Sequence, residues 1–327
     1  MSTSSPHILV TEPIPQAVVS YLQNTGEVTV AQKGAYQSEE QLLQDLPKYD
    51  ALLCMLSTPV TEKVLNKAKN LKIVANFAVG YDNIDVKAAN KLGIKVANTP
   101  NVLTEACGDY AMGLLLALSR KFKEAEQYLR DGKFTGWEPL GFLGMELRGR
   151  TLGIIGMGRI GQAFAQRARA FGMNIIYHNR SPIDPKKEKA LDAEYFNDHK
   201  ELARRSDVLS LNCPLTEETH HLVDRELLKI MPQHALLINI SRGAVIDEAV
   251  LAEALHDEII GGAALDVFEE EPKVHPKLLS APNTLLLPHI ASATHKTREA
   301  IGMLAAEAIT SVLQGKPDDE IPNLISR

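Results

Sequence analysis

The chain has 327 residues, 45% of them hydrophobic and 23% charged, with a net charge of −6. Those proportions exclude a disordered or fibrous chain, and an acidic balance without clustered Lys and Arg argues against a nucleic-acid surface. The nearest basic run, "DPKKEKA" at 184–190, reads as a solvated loop or helix start. Cys54, Cys107 and Cys213 are far apart and form no CxxC pair, so neither a zinc cluster nor a disulfide framework is indicated, and a reducing compartment fits. The amino terminus, "MSTSSPHILVTEPIPQ", lacks the basic region of a signal peptide, and no apolar run approaches the roughly 20 residues of a membrane span. A cytoplasmic protein is expected, without membrane or nucleic-acid partners. Hydrophobic cores tend to split beyond about 250 to 300 residues, so two domains are expected.

The first hundred residues alternate β-rich runs with helical spacing. "HILV" (7–10), "EVTVA" (27–31), "ALLCML" (51–56), "KIVANF" (72–77) and "IKVAN" (94–98) read as buried parallel strands, separated by amphipathic segments. From Val102 to about Gly132 there is no proline, and the centre, "AMGLLLAL", is apolar nearly all round. One helix of about eight turns is expected there, buried in an interdomain core or in a dimer interface. A second alternating series runs through "TLGIIG" at 151, "NIIYH", "VLSLN", "ALLINI", "GAALDVF" and "TLLLPHI", at the intervals of a doubly wound sheet. A last helix, roughly Thr294 to Leu313, follows the second series and could pack back on the first, making that domain discontinuous.

"GMGRIG", Gly156 to Gly161, follows an expected strand and opens an expected helix, the context of a dinucleotide-binding turn. Gly156 suits the tight turn, Gly158 the approach of a pyrophosphate, and Gly161 the close packing of helix on strand. The helix start then offers free N–H groups and a positive dipole end to phosphate. In an NAD site a carboxylate about 20 residues on binds the ribose hydroxyls. Here that position holds Asn179, followed by Arg180 and Ser181. A carboxylate would repel a 2′-phosphate, whereas arginine presents it with a matched donor fork. A charge-assisted bond of about 1.5 to 3 kcal/mol corresponds to roughly 10- to 150-fold in favour of NADP. NADP(H) is therefore expected over NAD(H).

Three apolar runs end in polar residues, "INISRGAVID", "ALDVFEEEP" and "LLPHIASAT". Ligands bind beside the carboxyl ends of such strands, which makes Arg242, Glu271 and His289 plausible neighbours. Reduction of a carbonyl needs a proton donor, and histidine titrates nearest neutrality. A carboxylate partner, Glu271, stabilises the imidazolium of His289. Arg242 suits bidentate binding of a carboxylate or polarised carbonyl. This division of labour needs no metal. Adjacent His220 and His221 would face opposite ways on a strand, and neither is read as a ligand. Trp137, the only tryptophan, reads as a wedge at a hinge or as a lining of the substrate mouth.

The ordered motifs "GIIGMGRIGQAFAQRARAFGM", "NCPLTEETHHL", "LLINISRGAVIDE", "GAALDVFEEEP" and "LPHIASAT" resemble the D-isomer-specific 2-hydroxyacid dehydrogenase family over essentially the whole chain. Within it, "VANFAVGYDNID" and "WEPLGFLGMELRGRTLGIIG" look most like glyoxylate/hydroxypyruvate reductases. The resemblance implies an α/β architecture of two doubly wound parallel-sheet domains. A Rossmann nucleotide-binding domain (101–290, including a long dimerisation helix) is inserted in a flavodoxin-like substrate domain (1–100 and 291–327). It implies a homodimer. It carries catalysis onto Arg242, Glu271 and His289, and substrate binding onto Leu56, Ser57, Ala78, Val79 and Gly80. Cofactor contacts fall on Thr104, Gly158, Arg159, Ile160, Cys213, Pro214, Thr219, Ile240 and Asp266. Asn179, Arg180 and Ser181 depart from the acidic pattern of NAD-using members. The implied reaction is NADPH-dependent reduction of glyoxylate to glycolate and of hydroxypyruvate to D-glycerate. A reductase of larger substrates, such as 2-ketogluconate or branched 2-oxo acids, remains open, as does a dinucleotide-sensing corepressor of the same architecture.

Overall fold

The computed structural model describes residues 5–325. Residues 1–4, on which part of the signal-peptide reading rests, and 326–327, the end of the expected 291–327 segment, lie outside the described residues. The chain divides into two compact units, residues 1–103 with 293–327, and residues 104–292. The divisions fall two or three residues beyond the expected 100 and 290. After Pro100 the backbone turns through a left-handed Asn101 (φ 74°), and the second unit begins only where the next helix does, at Thr104.

In the first unit, β1 (His7–Val10), β2 (Glu27–Val30), β3 (Ala51–Cys54), β4 (Ile73–Asn76) and β5 (Lys95–Ala97) form a parallel sheet in the order β2-β1-β3-β4-β5. This is the flavodoxin-like order. Every residue of β3 and β4 is buried, which is why β3 is apolar throughout and β4 is apolar up to Asn76. The β2 segment was expected to be buried as well, but it is largely exposed. It pairs with one neighbour only, and an edge strand keeps one side in water. The helix His295–Leu313 packs on β3, β4 and the helix Gln16–Gln23, so the end of the chain completes the sheet that the beginning started. Gly302 permits this approach, since a Cβ there would lie 2.6 Å from a Val18 methyl.

In the second unit, β6 (Thr151–Ile155), β7 (Asn174–His178), β8 (Ala193–Tyr195), β9 (Val208–Leu211), β10 (Leu236–Asn239), β11 (Gly262–Leu265) and β12 (Thr284–Leu286) form a parallel sheet. Its order, β12-β11-β10-β9-β6-β7-β8, is the 3-2-1-4-5-6 order of dinucleotide-binding sheets with one strand added. The strand β8 escaped the sequence reading because three half-exposed edge residues, "AEY", carry no periodic signal.

The single long helix expected from 102 to 132 is two helices, Thr104–Ser119 and Phe122–Arg130. Lys121 adopts a left-handed φ of 54°, and the Ser119 carbonyl accepts the Met145 N–H at 2.8 Å instead of continuing the helix. Within its own unit the first helix is buried against the helix Arg159–Ala170 and the sheet. A Cβ on Gly108 would lie 2.9 Å from that of Ala163, and Arg167 ties the two helices through Glu105 and Asp109. The second helix buries nothing. Trp137 beyond it is 84% exposed. Among the described residues no helix is long and apolar enough to cross a membrane.

Candidate active site

The glycine turn sits at the topological switch point of the seven-stranded sheet, between the carboxyl ends of β6 and β9. Gly156 has φ 98°, and a Cβ on it would lie 2.5 Å from the backbone of Asn212 and Cys213. On Gly161 a Cβ would meet the Gly156 carbonyl at 2.6 Å. The protein itself therefore demands glycine at both positions. Gly158 is different, because a Cβ there would meet nothing within 4 Å, and as helix N-cap it offers no side-chain cap to the N–H groups of the first turn, where Arg159 and Ile160 lie. An uncapped helix start with open space before it is a cradle for an anionic group. Beside it, Asn212 keeps a buried Oδ1 without a protein partner. These features fit a dinucleotide.

Asn179 follows β7, and its Oδ1 accepts the Met157 N–H at 2.7 Å, which locks the glycine turn to the end of the second strand. Arg180 and Ser181 are exposed beside it. Across the switch point, Cys213 is buried, which pushes its thiol up to about 11 and leaves it an apolar contact. The next loop is closed by Thr219, whose hydroxyl donates to the Pro214 carbonyl at 2.7 Å and accepts the Thr216 N–H at 2.8 Å. Ile240 follows β10, Asp266 follows β11, and Thr104 opens the helix Thr104–Ser119.

Arg242, Glu271 and His289 follow β10, β11 and β12 at the same edge. His289 Nδ1 donates to Glu271 Oε2 at 2.9 Å, and Glu271 Oε1 accepts the Phe268 N–H at 3.1 Å. Burial alone would raise the Glu271 carboxyl. The His289 hydrogen bond and charge, the Phe268 N–H and the nearby Arg242 outweigh burial and hold it below the usual carboxylate range. Arg242 donates to the Ser241 carbonyl at 2.8 Å, and its own carbonyl accepts Asn239 Nδ2 at 2.8 Å, so the turn after β10 is tied to the strand end. His289 has a left-handed φ of 55°, a conformation that costs an L-residue about 1 to 2 kcal/mol.

That conformation is maintained by a residue whose structural part sequence reasoning missed. The Asp266 carboxylate accepts the Ile290 N–H at 2.9 Å and the Ala291 N–H at 2.8 Å, while the Asp266 carbonyl accepts the His289 N–H at 2.8 Å. Tyr110 donates to the same carboxylate at 2.7 Å. Burial raises the Asp266 carboxyl, and these donors and the His289 charge counter it only in part. The Glu271 loop has a similar clamp: buried Glu248 accepts the N–H groups of Glu269 and, at 3.3 Å, of His275. Tyr110 lies in no quoted motif, and Glu248 closes "LLINISRGAVIDE" without a role assigned to it. His220 and His221, expected to face opposite ways, instead stack at 4.0 Å, because His221 has a left-handed φ of 49°.

In the first unit, Leu56 and Ser57 follow β3, and Ala78, Val79 and Gly80 follow the adjacent β4. The three carbonyls of the second loop all accept internal hydrogen bonds: Ala78 from Thr99 N–H at 2.9 Å, Val79 from Asn98 at 2.7 Å and Gly80 from Asn76 at 2.6 Å. Asn83 braces the first loop through the Met55 and Thr58 carbonyls. Both loops are thus built to hold a fixed backbone.

A dinucleotide sheet with an arginine and a histidine–carboxylate pair at its switch-point edge defines an oxidoreductase of the nicotinamide-dependent kind. Comparison with known proteins narrows the class. Residues 112–291 match the NAD binding domain of the D-isomer specific 2-hydroxyacid dehydrogenases. The chain is 43% identical to a glyoxylate reductase of Thermococcus litoralis over 98% of its own length and 97% of that protein's. It is 45% identical to one from Aeropyrum pernix over 98% and 96%. Among solved structures, an NADPH-dependent glyoxylate/hydroxypyruvate reductase of Sinorhizobium meliloti, in complex with NADP and malonate, superposes with a TM-score of 0.84 at 38% identity, covering 94% of this chain and 93% of that one. The chain belongs to the D-isomer-specific 2-hydroxyacid dehydrogenase family and resembles its glyoxylate reductases.

Proposed function

We propose that this protein reduces small 2-oxo acids, glyoxylate and hydroxypyruvate first, to their D-2-hydroxy acids with NADPH as the preferred cofactor. The observation that carries the reading is the His289–Glu271 pair, a proton donor with its counter-charge at the edge where the glycine turn lies. Gly156, Gly158, Arg159, Ile160 and Gly161 hold the pyrophosphate, and Arg180 with Ser181 binds the 2′-phosphate. Cys213, Pro214, Thr219, Ile240 and Asp266 line the nucleotide, with Thr104 near the nicotinamide. When bound, the nicotinamide supplies a hydride to the carbonyl carbon.

The remaining work falls to the chain. His289 gives its Nε2 proton to the carbonyl oxygen, and Glu271 stabilises the imidazolium until that transfer. Arg242 orients the substrate through its carboxylate and carbonyl oxygens. The Ala78–Gly80 segment, whose carbonyls are already engaged, offers its N–H groups to the substrate carboxylate, with the Leu56–Ser57 loop beside it. We place the protein in the cytoplasm as a homodimer. The second unit exposes Phe122, Leu129, Phe134, Trp137, Leu140 and Leu143, six large apolar side chains within 22 consecutive residues that a partner subunit would cover.

The test is kcat/KM with NADPH and with NADH on glyoxylate and hydroxypyruvate at neutral pH. A tenfold or greater preference for NADPH supports the reading. Equal use of both overturns the cofactor assignment, and no turnover with either overturns the substrate assignment and points to larger 2-oxo acids or to a binding protein.

A further inference from the structure

We propose that His220, His221 and Glu269 form a binding site for a transition-metal dication of the zinc class, separate from the trio. Each offers one ligand atom, and the three atoms lie within 4.8 Å of one another. His221 Nε2 and Glu269 Oε1 are already 2.7 Å apart. Two imidazoles and a carboxylate make a donor set that suits zinc, copper or nickel better than magnesium or calcium.

The site depends on a backbone feature. Adjacent residues on a strand point to opposite faces, but the left-handed His221 turns its side chain to the face of His220, and the rings stack at 4.0 Å with planes 29° apart. In a tetrahedral zinc site, bond lengths near 2.1 Å put ligand atoms about 3.4 Å apart. The shift from the observed spacing is on the order of 1 Å and falls on His220 and Glu269, which are exposed and can rotate.

Both ligand-bearing segments are anchored to the same piece of chain, residues 243–248. His221 N–H donates to the Ala244 carbonyl at 2.8 Å, and Val223 N–H to the Val245 carbonyl at 3.0 Å. On the other side Glu269 N–H donates to Glu248, and Gly243 packs so tightly on the Phe268–Glu269 peptide that a Cβ would lie 1.8 Å from the Phe268 carbonyl carbon. The ligands therefore sit on two loops whose separation is set by a common support, the preorganisation a metal site needs. An ion held there joins the turn that carries Thr219 to the loop that carries Glu271, with water completing its shell at the exposed side.

The experiment is titration of the full-length protein with Zn²⁺ in competition with a chromophoric chelator of micromolar affinity, in a buffer that does not bind metal. We expect one equivalent to be withheld from the chelator, with affinity at least tenfold lower in both His220→Ala and Glu269→Gln. His199→Ala removes one ring of the other close histidine pair, His178 and His199 at 5.7 Å, and leaves the titration unchanged. No Zn²⁺ withheld by the wild type, or the same titration in wild type, His220→Ala and Glu269→Gln, overturns the proposal. His220 and Glu269 are exposed, and matching circular dichroism spectra show that the variants are folded. The readout is binding, so it stands apart from any result on turnover.

Discussion

Tyr110 and Asp266, 156 residues apart in sequence, share a 2.7 Å hydrogen bond behind the segment that presents His289. Because Asp266 also accepts the two N–H groups that follow His289, the tyrosine bears on the proposed proton donor through one intermediate. Removing the hydroxyl leaves a buried carboxylate with one donor fewer, a loss of about 1.5 to 3 kcal/mol for a bond to a charged group. In Tyr110→Phe we expect kcat to fall about tenfold and Tm to fall, with KM for the 2-oxo acid little changed. A variant with wild-type kcat would show that the loop holds its shape without this bond.

His289 is best tested with asparagine. Asparagine tolerates the left-handed conformation, so His289→Asn removes the imidazole proposed as proton donor while leaving the φ of 55° accessible. General-acid loss typically costs about 10² to 10⁴ in rate. We expect a fall of that size in kcat with NADPH affinity, measured by fluorescence titration, within about twofold of wild type. Retained turnover would remove His289 from the mechanism.

Glu271 remains ionised below the usual carboxylate range, so its own protonation does not limit the reaction near neutral pH. On the proposed reading its loss acts through the His289 ring that it orients and whose positive charge it balances. In Glu271→Gln we expect kcat to fall at least tenfold at neutral pH with KM for the 2-oxo acid little changed. Wild-type kcat in that variant would leave Glu271 a structural part of its loop.

The proposed NADPH preference rests on Arg180. Arg180→Ala should lower kcat/KM for NADPH by about 10- to 150-fold and leave that for NADH nearly unchanged, since NADH has no 2′-phosphate to lose. An equal decline with both cofactors would show that Arg180 supports the loop rather than reading the phosphate.

Asp207 makes a pH-dependent contribution to stability at the amino edge of the second sheet. Burial alone would raise its carboxyl, but His234, the Thr151 N–H at 2.8 Å and Arg150 at 3.1 Å hold it below its ordinary value. A depressed group is protonated more readily in the unfolded chain, so its contribution is complete above the unfolded value of about 4 and disappears as pH falls through the folded value. Urea denaturation should find Asp207→Asn less stable than wild type at pH 6 by about 1.5 to 3 kcal/mol, with the gap narrowing toward pH 3. A gap independent of pH would contradict the linkage.

Much of this molecule was legible in one dimension. Buried parallel strands such as β3 and β11 are continuous apolar runs, and the glycine turn is legible from local geometry, the φ of 98° at Gly156 and the approach of Gly161 to the Gly156 carbonyl. Polar residues directly after strands, Arg242, Glu271 and His289, were legible because parallel strands deliver their ends to one edge. What depended on left-handed residues or on long-range contact was not legible. The break at Lys121 requires the Met145 N–H to take the Ser119 carbonyl, and the pairing of His220 with His221 depends on a φ of 49° at a histidine. Tyr110 and Glu248 look like ordinary helix residues until the fold places them against Asp266 and Glu269. Periodicity and local turn chemistry determined the elements and the chemistry at their ends. Only tertiary structure decided which side chains hold that chemistry in position, because those bonds join residues whose proximity no local pattern encodes.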